Sequence, residues 1–146
     1  MTREAFEKLI EEEFPNAVPE QFHGLIKNLA FIAEDEPSPE VRKEEKLAPE
    51  ETLLGYYRGI PHTARGDLYG VGPTLPDTIV LYQLPIEDEA EHLLEHSNIL
   101  QNVRMSYEEA VRKVVRETIW HEVAHFFGMD EHTVRKREDK RDSDKM

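Results

Sequence analysis

The chain contains no cysteine, and this absence limits the kinds of site that it can build. Disulfide bonds and thiolate zinc sites are excluded, so any transition-metal site must use imidazole and carboxylate groups. A chain without thiols also leaves the redox state of its compartment open. The candidate ligands are therefore the 7 histidines and the 31 Asp and Glu residues.

Long apolar segments are also absent. The N-terminal segment from Met1 to Glu7 is charged and lacks the apolar run of about 7 to 15 residues that a signal peptide requires. No later stretch approaches the roughly 18 apolar residues of a membrane span. We therefore expect a cytoplasmic protein with no membrane partner.

Positive charge is scarce, because 18 Lys and Arg residues face 31 Asp and Glu residues, for a formal net charge of −13. An acidic surface repels the phosphate backbone, so we expect no nucleic-acid partner. With 146 residues, the chain can bury one modest core and is too short for two ordinary domains. We predict one domain over residues 1–132, followed by a charged tail over 133–146 that is frayed or disordered.

The hydrophobic pattern predicts an α+β fold, with a small twisted mixed sheet packed on helices. Helical spacing of apolar residues predicts a first helix that ends near Pro15 and a second helix around Phe22. A further helix is predicted over the acidic segment of residues 86–100. Three segments have the composition of strands: Leu29 to Ala33, Leu53 to Tyr57 and Thr78 to Leu84.

A long helix is predicted from Ser106 to just before Gly128. Ser106 is a suitable N-cap, and Glu109 stands at the third helical position, where a capping box places Glu. Gly128 is suited to helix termination. An apolar stripe runs along the helix at spacings of three and four, through Val111, Val115, Ile119, Val123 and Phe126.

The segment His121-Glu122-Val123-Ala124-His125 lies within this helix and carries the chemistry. Two histidines four residues apart lie one turn apart on the same helix face, where their imidazoles can bind a single zinc ion. Glu122 points to a different sector, so it can stay off the metal and act as the general base toward a water. We predict that His121 and His125 are metal ligands and that Glu122 is catalytic.

A third metal ligand is expected shortly after the helix. In the extended pattern H-E-x-x-H-x-x-G-x-x-H the third ligand stands ten residues after the first, and that position is Glu131. A carboxylate is an acceptable zinc ligand. Glu131 is the first choice, while Asp130 and His132 remain alternatives.

The segment from His121 to Glu131 resembles the bacterial family of minimal zincin-like metallopeptidases. Two upstream segments resemble recurring parts of the same family: Leu53 to Pro61 and Leu75 to Tyr82. The similarity covers roughly Val18 to His132. It implies a compact zincin-like fold and a peptidase. No Met-turn is expected, because too little chain follows the motif. Family members commonly carry Asp where Glu131 stands here.

We therefore predict a zinc metallopeptidase that hydrolyses peptide bonds of a peptide or protein substrate with a zinc-activated water. Two alternatives are a non-catalytic zinc-binding module and a metal-dependent hydrolase of non-peptide amides. The strand from Thr78 to Leu84 is expected to offer a free edge to an extended substrate. His92 and His96 share the four-residue spacing, but without a glutamate directly after the first histidine they are expected to be exposed polar residues. Tyr56, Tyr57, Tyr82, His62 and Arg65 are expected to have packing or loop roles.

Overall fold

The computed structural model describes residues 1–23, 26, 29–58, 77–100 and 105–127. The elements in this part of the chain, in order, are α1 (Arg3–Ala17), α2 (Glu20–His23), β1 (Leu29–Glu34), α3 (Pro39–Glu44), β2 (Gly55–Arg58), β3 (Asp77–Tyr82), α4 (Gln83–Leu100) and α5 (Tyr107–Phe126). The predicted tail at 133–146 lies outside the described residues. None of the described helices is long and apolar enough to cross a membrane.

The sheet has the strand order β1-β3-β2 and is mixed, as predicted. β1 runs parallel to β3 over the full length of both strands, and β2 runs antiparallel to β3. Helices α1, α4 and α5 pack against one face of this sheet through apolar side chains of the core. Alternate side chains of a strand point to opposite faces, and Ile79 and Leu81 are the β3 residues that join this core. The α+β fold class is therefore confirmed.

The central position of β3 shows that the predicted free edge is wrong. β1 pairs with β3 from Asp77 to Tyr82, and β2 pairs with its other side from Thr78 to Leu81. An added peptide strand needs unpaired backbone groups, and β3 has none to offer along this length. The strand is also shorter than predicted, because α4 begins at Gln83 and places Pro85 in its first turn, where proline is tolerated.

Helix α1 continues past Pro15 to Ala17, two residues beyond the predicted end. The Val18 amide donates to the carbonyl oxygen of Phe14 at 3.2 Å and closes the last turn. Phe14 packs on Phe31 of β1, and Ala17 is fully buried. Tertiary packing of this turn offsets the hydrogen bond that proline cannot form.

A buried carboxylate joins α1 to α5. The Glu13 side chain accepts hydrogen bonds from Arg112 at 2.9 Å and from Arg116 at 3.0 Å. Burial alone would raise the pKa of Glu13, but the two guanidinium groups more than offset this and hold the pKa below its ordinary value. The carboxylate therefore stabilises the folded state at neutral pH.

Glu13→Gln is expected to lower the free energy of unfolding by about 1–3 kcal/mol at pH 7. A carboxyl whose pKa is lower in the folded state contributes stability above its unfolded pKa of about 4.3 and loses it as the pH falls through the folded value. The difference between native chain and variant should therefore shrink between pH 5 and pH 3 in urea unfolding. Glu11→Gln, at an exposed position of the same helix, is the control and should change stability by less than about 0.5 kcal/mol. A pH-independent deficit would contradict the role of this charge.

Candidate metal and catalytic site

Helix α5 carries the candidate site. The N-cap residue and the apolar stripe of this helix explain where it begins and which of its faces is buried. The Ser106 hydroxyl accepts a hydrogen bond from the Glu109 amide at 3.1 Å, so the predicted N-cap is confirmed. The predicted stripe is also confirmed, since all five of its residues are buried in the core. Burial of this stripe fixes the rotation of α5 about its axis and thereby the direction of the neighbouring side chains.

Aromatic contacts hold the C-terminal end of α5. The Phe126 ring meets Tyr57 of β2 edge-on, with 6.1 Å between ring centroids. The Phe22 ring of α2 packs on the rings of Trp120 and Phe127, with 5.9 and 5.3 Å between ring centroids. The last turn of the helix is therefore packed against two other elements. α5 ends at Phe126, two residues before Gly128, which lies outside the described residues.

His121 and His125 lie side by side on α5, and both are half-buried. Their ring centroids are 5.0 Å apart, and the rings are inclined by 40°. Two imidazoles that hold one zinc ion at Zn–N distances of about 2.0–2.1 Å have ring centres roughly 5 Å apart. The two donors therefore fit a shared zinc ion, both in their chemistry and in their separation.

The candidates for the third ligand all fall outside the described part of the chain. Glu131, Asp130 and His132 all belong to the segment that follows residue 127. Among the described residues, no group of three or more His, Asp or Glu side chains could hold a metal. Glu131 thus stays a prediction, and a set of three ligands needs at least one residue outside the described part of the chain.

Glu122 is almost completely buried, with 9% of its surface exposed. It follows His121 directly and lies about 100° around the helix from it. Together with His121 it lines a cavity of about 400 Å³ between α5, α4 and the segment that precedes β2. A carboxylate at the wall of such a cavity can exchange a proton with a molecule bound there.

Gly55, the first residue of β2, makes room for Glu122. A Cβ atom at Gly55 would lie 2.8 Å from Cγ2 of Thr118 and 3.2 Å from Cγ of Glu122. It would also lie 3.2 Å from the carbonyl oxygen of Val80. The strand can therefore approach α5 this closely only because position 55 has no side chain.

Sequence reasoning missed Gly55 and Thr118. A glycine inside a strand is a known sign of close approach, but the sequence does not tell which element approaches. Thr118 has no motif of its own, and its hydroxyl donates to the Val114 carbonyl oxygen at 2.7 Å. Helical spacing places Thr118 one turn before Glu122, but only the packing of β2 on α5 shows that Gly55 lies against both side chains.

The tyrosines that were expected to have packing roles are engaged as follows. The Tyr56 hydroxyl donates to Glu44 at 2.8 Å, and that of Tyr57 donates to Asp77 at 2.7 Å. Tyr82 is completely buried, and its hydroxyl forms no hydrogen bond with another described residue. Burial, followed by the negative charge of Glu34, raises the pKa of Tyr82 to about 12, so it keeps its proton.

Of the remaining candidates, the structure describes the two histidines of α4. His92 and His96 are exposed on α4, as predicted. The Nδ1 atom of His92 lies 3.0 Å from the carbonyl oxygen of Asp88 on the same helix. His62 and Arg65 lie outside the described residues.

Comparison with known proteins agrees with this geometry. The model of a protein family described as zincin-like metallopeptidases matches residues 26–141, well over half of the chain. This match covers the strands, α4, α5 and the position of Glu131. It confirms the family resemblance inferred from the motif and the two upstream segments. A search of curated proteins finds no match to the chain.

Proposed function

The chain belongs to the zincin-like metallopeptidase family, and we propose that it hydrolyses peptide bonds as a zinc-dependent enzyme with Glu122 as the general base. The observation that supports this most is the His121–His125 pair, whose ring centroids are 5.0 Å apart, with Glu122 beside it at the wall of a cavity. His121, His125 and Glu131 would hold the metal, and the other positions would be open to water and substrate.

Zinc, when bound, would lower the pKa of a water to roughly 7 and polarise the substrate carbonyl. Glu122 accepts the proton of the water that attacks the carbonyl carbon. The same carboxyl then donates this proton to the leaving amine as the peptide bond breaks. Burial of Glu122 against β2 holds the carboxyl in one place, which lowers the entropic cost of both transfers.

Zinc content tests the metal site. The chain, purified without chelator or affinity tag, is expected to contain about one zinc ion per molecule by mass spectrometry under native conditions. His121→Ala and His125→Ala should each lose most of this zinc, because two remaining ligands hold the ion weakly. His92→Ala, which removes an exposed histidine of α4, is the matched control and should retain the zinc.

The same measurement assigns the third ligand. Glu131→Ala should lower zinc content as His121→Ala does, while Asp130→Ala and His132→Ala should not. Loss of zinc in one of the latter variants would transfer the role to that residue. A chain that takes up no zinc at neutral pH, even when zinc is added, would contradict the proposed function.

A further inference from the structure

The cavity beside His121 and Glu122 is large enough to hold a side chain of a bound molecule. Its volume of about 400 Å³ lies within the range of roughly 300–1,000 Å³ that small-molecule sites occupy. On α5 it follows one face over two turns, from Val114 to Glu122. A side chain that enters next to the reacting groups would therefore extend along α5.

Much of the wall is apolar. Leu53 and Leu54 come from the segment before β2, Leu93 comes from α4, and Val114 comes from α5. The three leucines are only half-buried, so part of their apolar surface remains available for contact with a bound group. An aliphatic stem would remove this surface from water.

The charged residues that line the cavity within the described part of the chain are all acidic. Glu89 of α4 and Glu117 of α5 line the cavity together with Glu122, and no described Lys or Arg residue lines it. Glu89 is exposed and forms no ion pair with another described residue. Glu117 lies 4.0 Å from Lys113, an exposed pair of the kind that contributes little. A cavity with several carboxylates and apolar walls attracts a cation that has an apolar stem.

We propose that this cavity is the subsite for a lysine or arginine side chain of the substrate, with Glu89 and Glu117 as specificity-determining residues. This inference rests on the proposed function for the position of the scissile bond. The leucines contact the methylene stem, and the two carboxylates attract the cationic head. The chain is then a peptidase for basic segments, whose charge complements its own net charge of −13.

Amino-acid hydroxamates test the subsite, because the hydroxamate binds zinc and places its side chain at a fixed position. The probes are the N-acetyl hydroxamates of lysine, norleucine and glutamate, and their binding to the zinc-loaded chain is measured by calorimetry. Lysine should bind about three- to tenfold more tightly than norleucine, and glutamate more weakly than either. Norleucine has the stem of lysine without its charge, so this ratio isolates the carboxylates.

Variants identify the residues responsible. Glu89→Gln should reduce the ratio of lysine to norleucine affinity, and the double variant Glu89→Gln/Glu117→Gln should bring it close to 1. Glu91→Gln, at an exposed position of α4 that does not line the cavity, is the matched control and should leave the ratio unchanged. Equal affinities for lysine and norleucine in the native chain would overturn the proposal.

A measurement without metal separates this subsite from the proposed function. The methyl resonances of Leu53, Leu93 and Val114 are recorded by NMR in the zinc-free chain during titration with N-acetyl-lysine amide and with N-acetyl-norleucine amide. Larger shifts with the lysine probe support the subsite even if the chain binds no zinc. Absence of a difference between the probes likewise rejects the subsite, and it leaves the zinc site, which is tested by zinc content, unaffected.

Discussion

Replacing Glu122 with glutamine is expected to lower kcat by about 10²- to 10⁴-fold, the usual contribution of general acid–base catalysis. Glutamine has nearly the same shape as glutamate but cannot accept the proton of the attacking water. Zinc content should remain that of the native chain, because Glu122 is not a proposed ligand. Turnover is measured with a quenched-fluorescent peptide library that contains lysine and arginine, and zinc is measured on the same samples.

Two outcomes would contradict this role. If zinc content falls together with turnover, Glu122 contributes to metal binding, and the loss of turnover does not identify it as the general base. If the variant retains native turnover, another group is the base. Glu95→Gln, an exposed glutamate of α4, removes the same charge at a distance and should leave both quantities unchanged. A native chain that holds zinc but cleaves none of the library would favour the non-catalytic binding module.

Features that depend on neighbouring residues in sequence could be predicted well. The N-cap at Ser106, the buried stripe of α5 and the convergence of His121 and His125 all follow from helical geometry within a single element. No knowledge of other elements is needed for these three results. The same holds for exposure of His92, which has only polar neighbours on its helix face.

Features that depend on the arrangement of elements could not be predicted. The composition of β3 identifies it as a strand, but it does not show that β1 and β2 pair with both of its edges. The composition of a strand reflects how deeply its side chains are buried. A central strand and an edge strand that is covered by other elements can be equally buried, so composition does not distinguish them. The prediction of a free edge at β3 is therefore wrong, although β3 itself is a strand.

The cavity wall shows the same limit. Glu89 and Leu93 stand one turn apart on α4, and their spacing indicates only a shared helix face. That they line one cavity with His121 follows from the packing of α4 on α5. When a residue lines a site together with another helix or strand, the sequence around that residue does not reveal this.

Gly55→Ala is expected to lower kcat by about tenfold or more, by displacing Glu122. The added Cβ would lie 3.2 Å from both the Glu122 side chain and the Val80 carbonyl oxygen, and 2.8 Å from Cγ2 of Thr118. The carbonyl belongs to the central strand and cannot yield, so α5 must move away from β2 or Glu122 must change its rotamer. Overpacking of this kind should also cost about 1–3 kcal/mol of stability.

Thr118→Ser separates the effect on stability from the effect on Glu122. Serine lacks the Cγ2 atom that would lie 2.8 Å from the new Cβ of residue 55. It keeps the hydroxyl that donates to the Val114 carbonyl oxygen. In the double variant Gly55→Ala/Thr118→Ser, urea unfolding should show most of the lost stability restored. The kcat should stay low while KM and zinc content remain close to native, because the contact with Glu122 persists. If the double variant regained stability and turnover together, Gly55 would serve packing against Thr118 alone and would not position the general base.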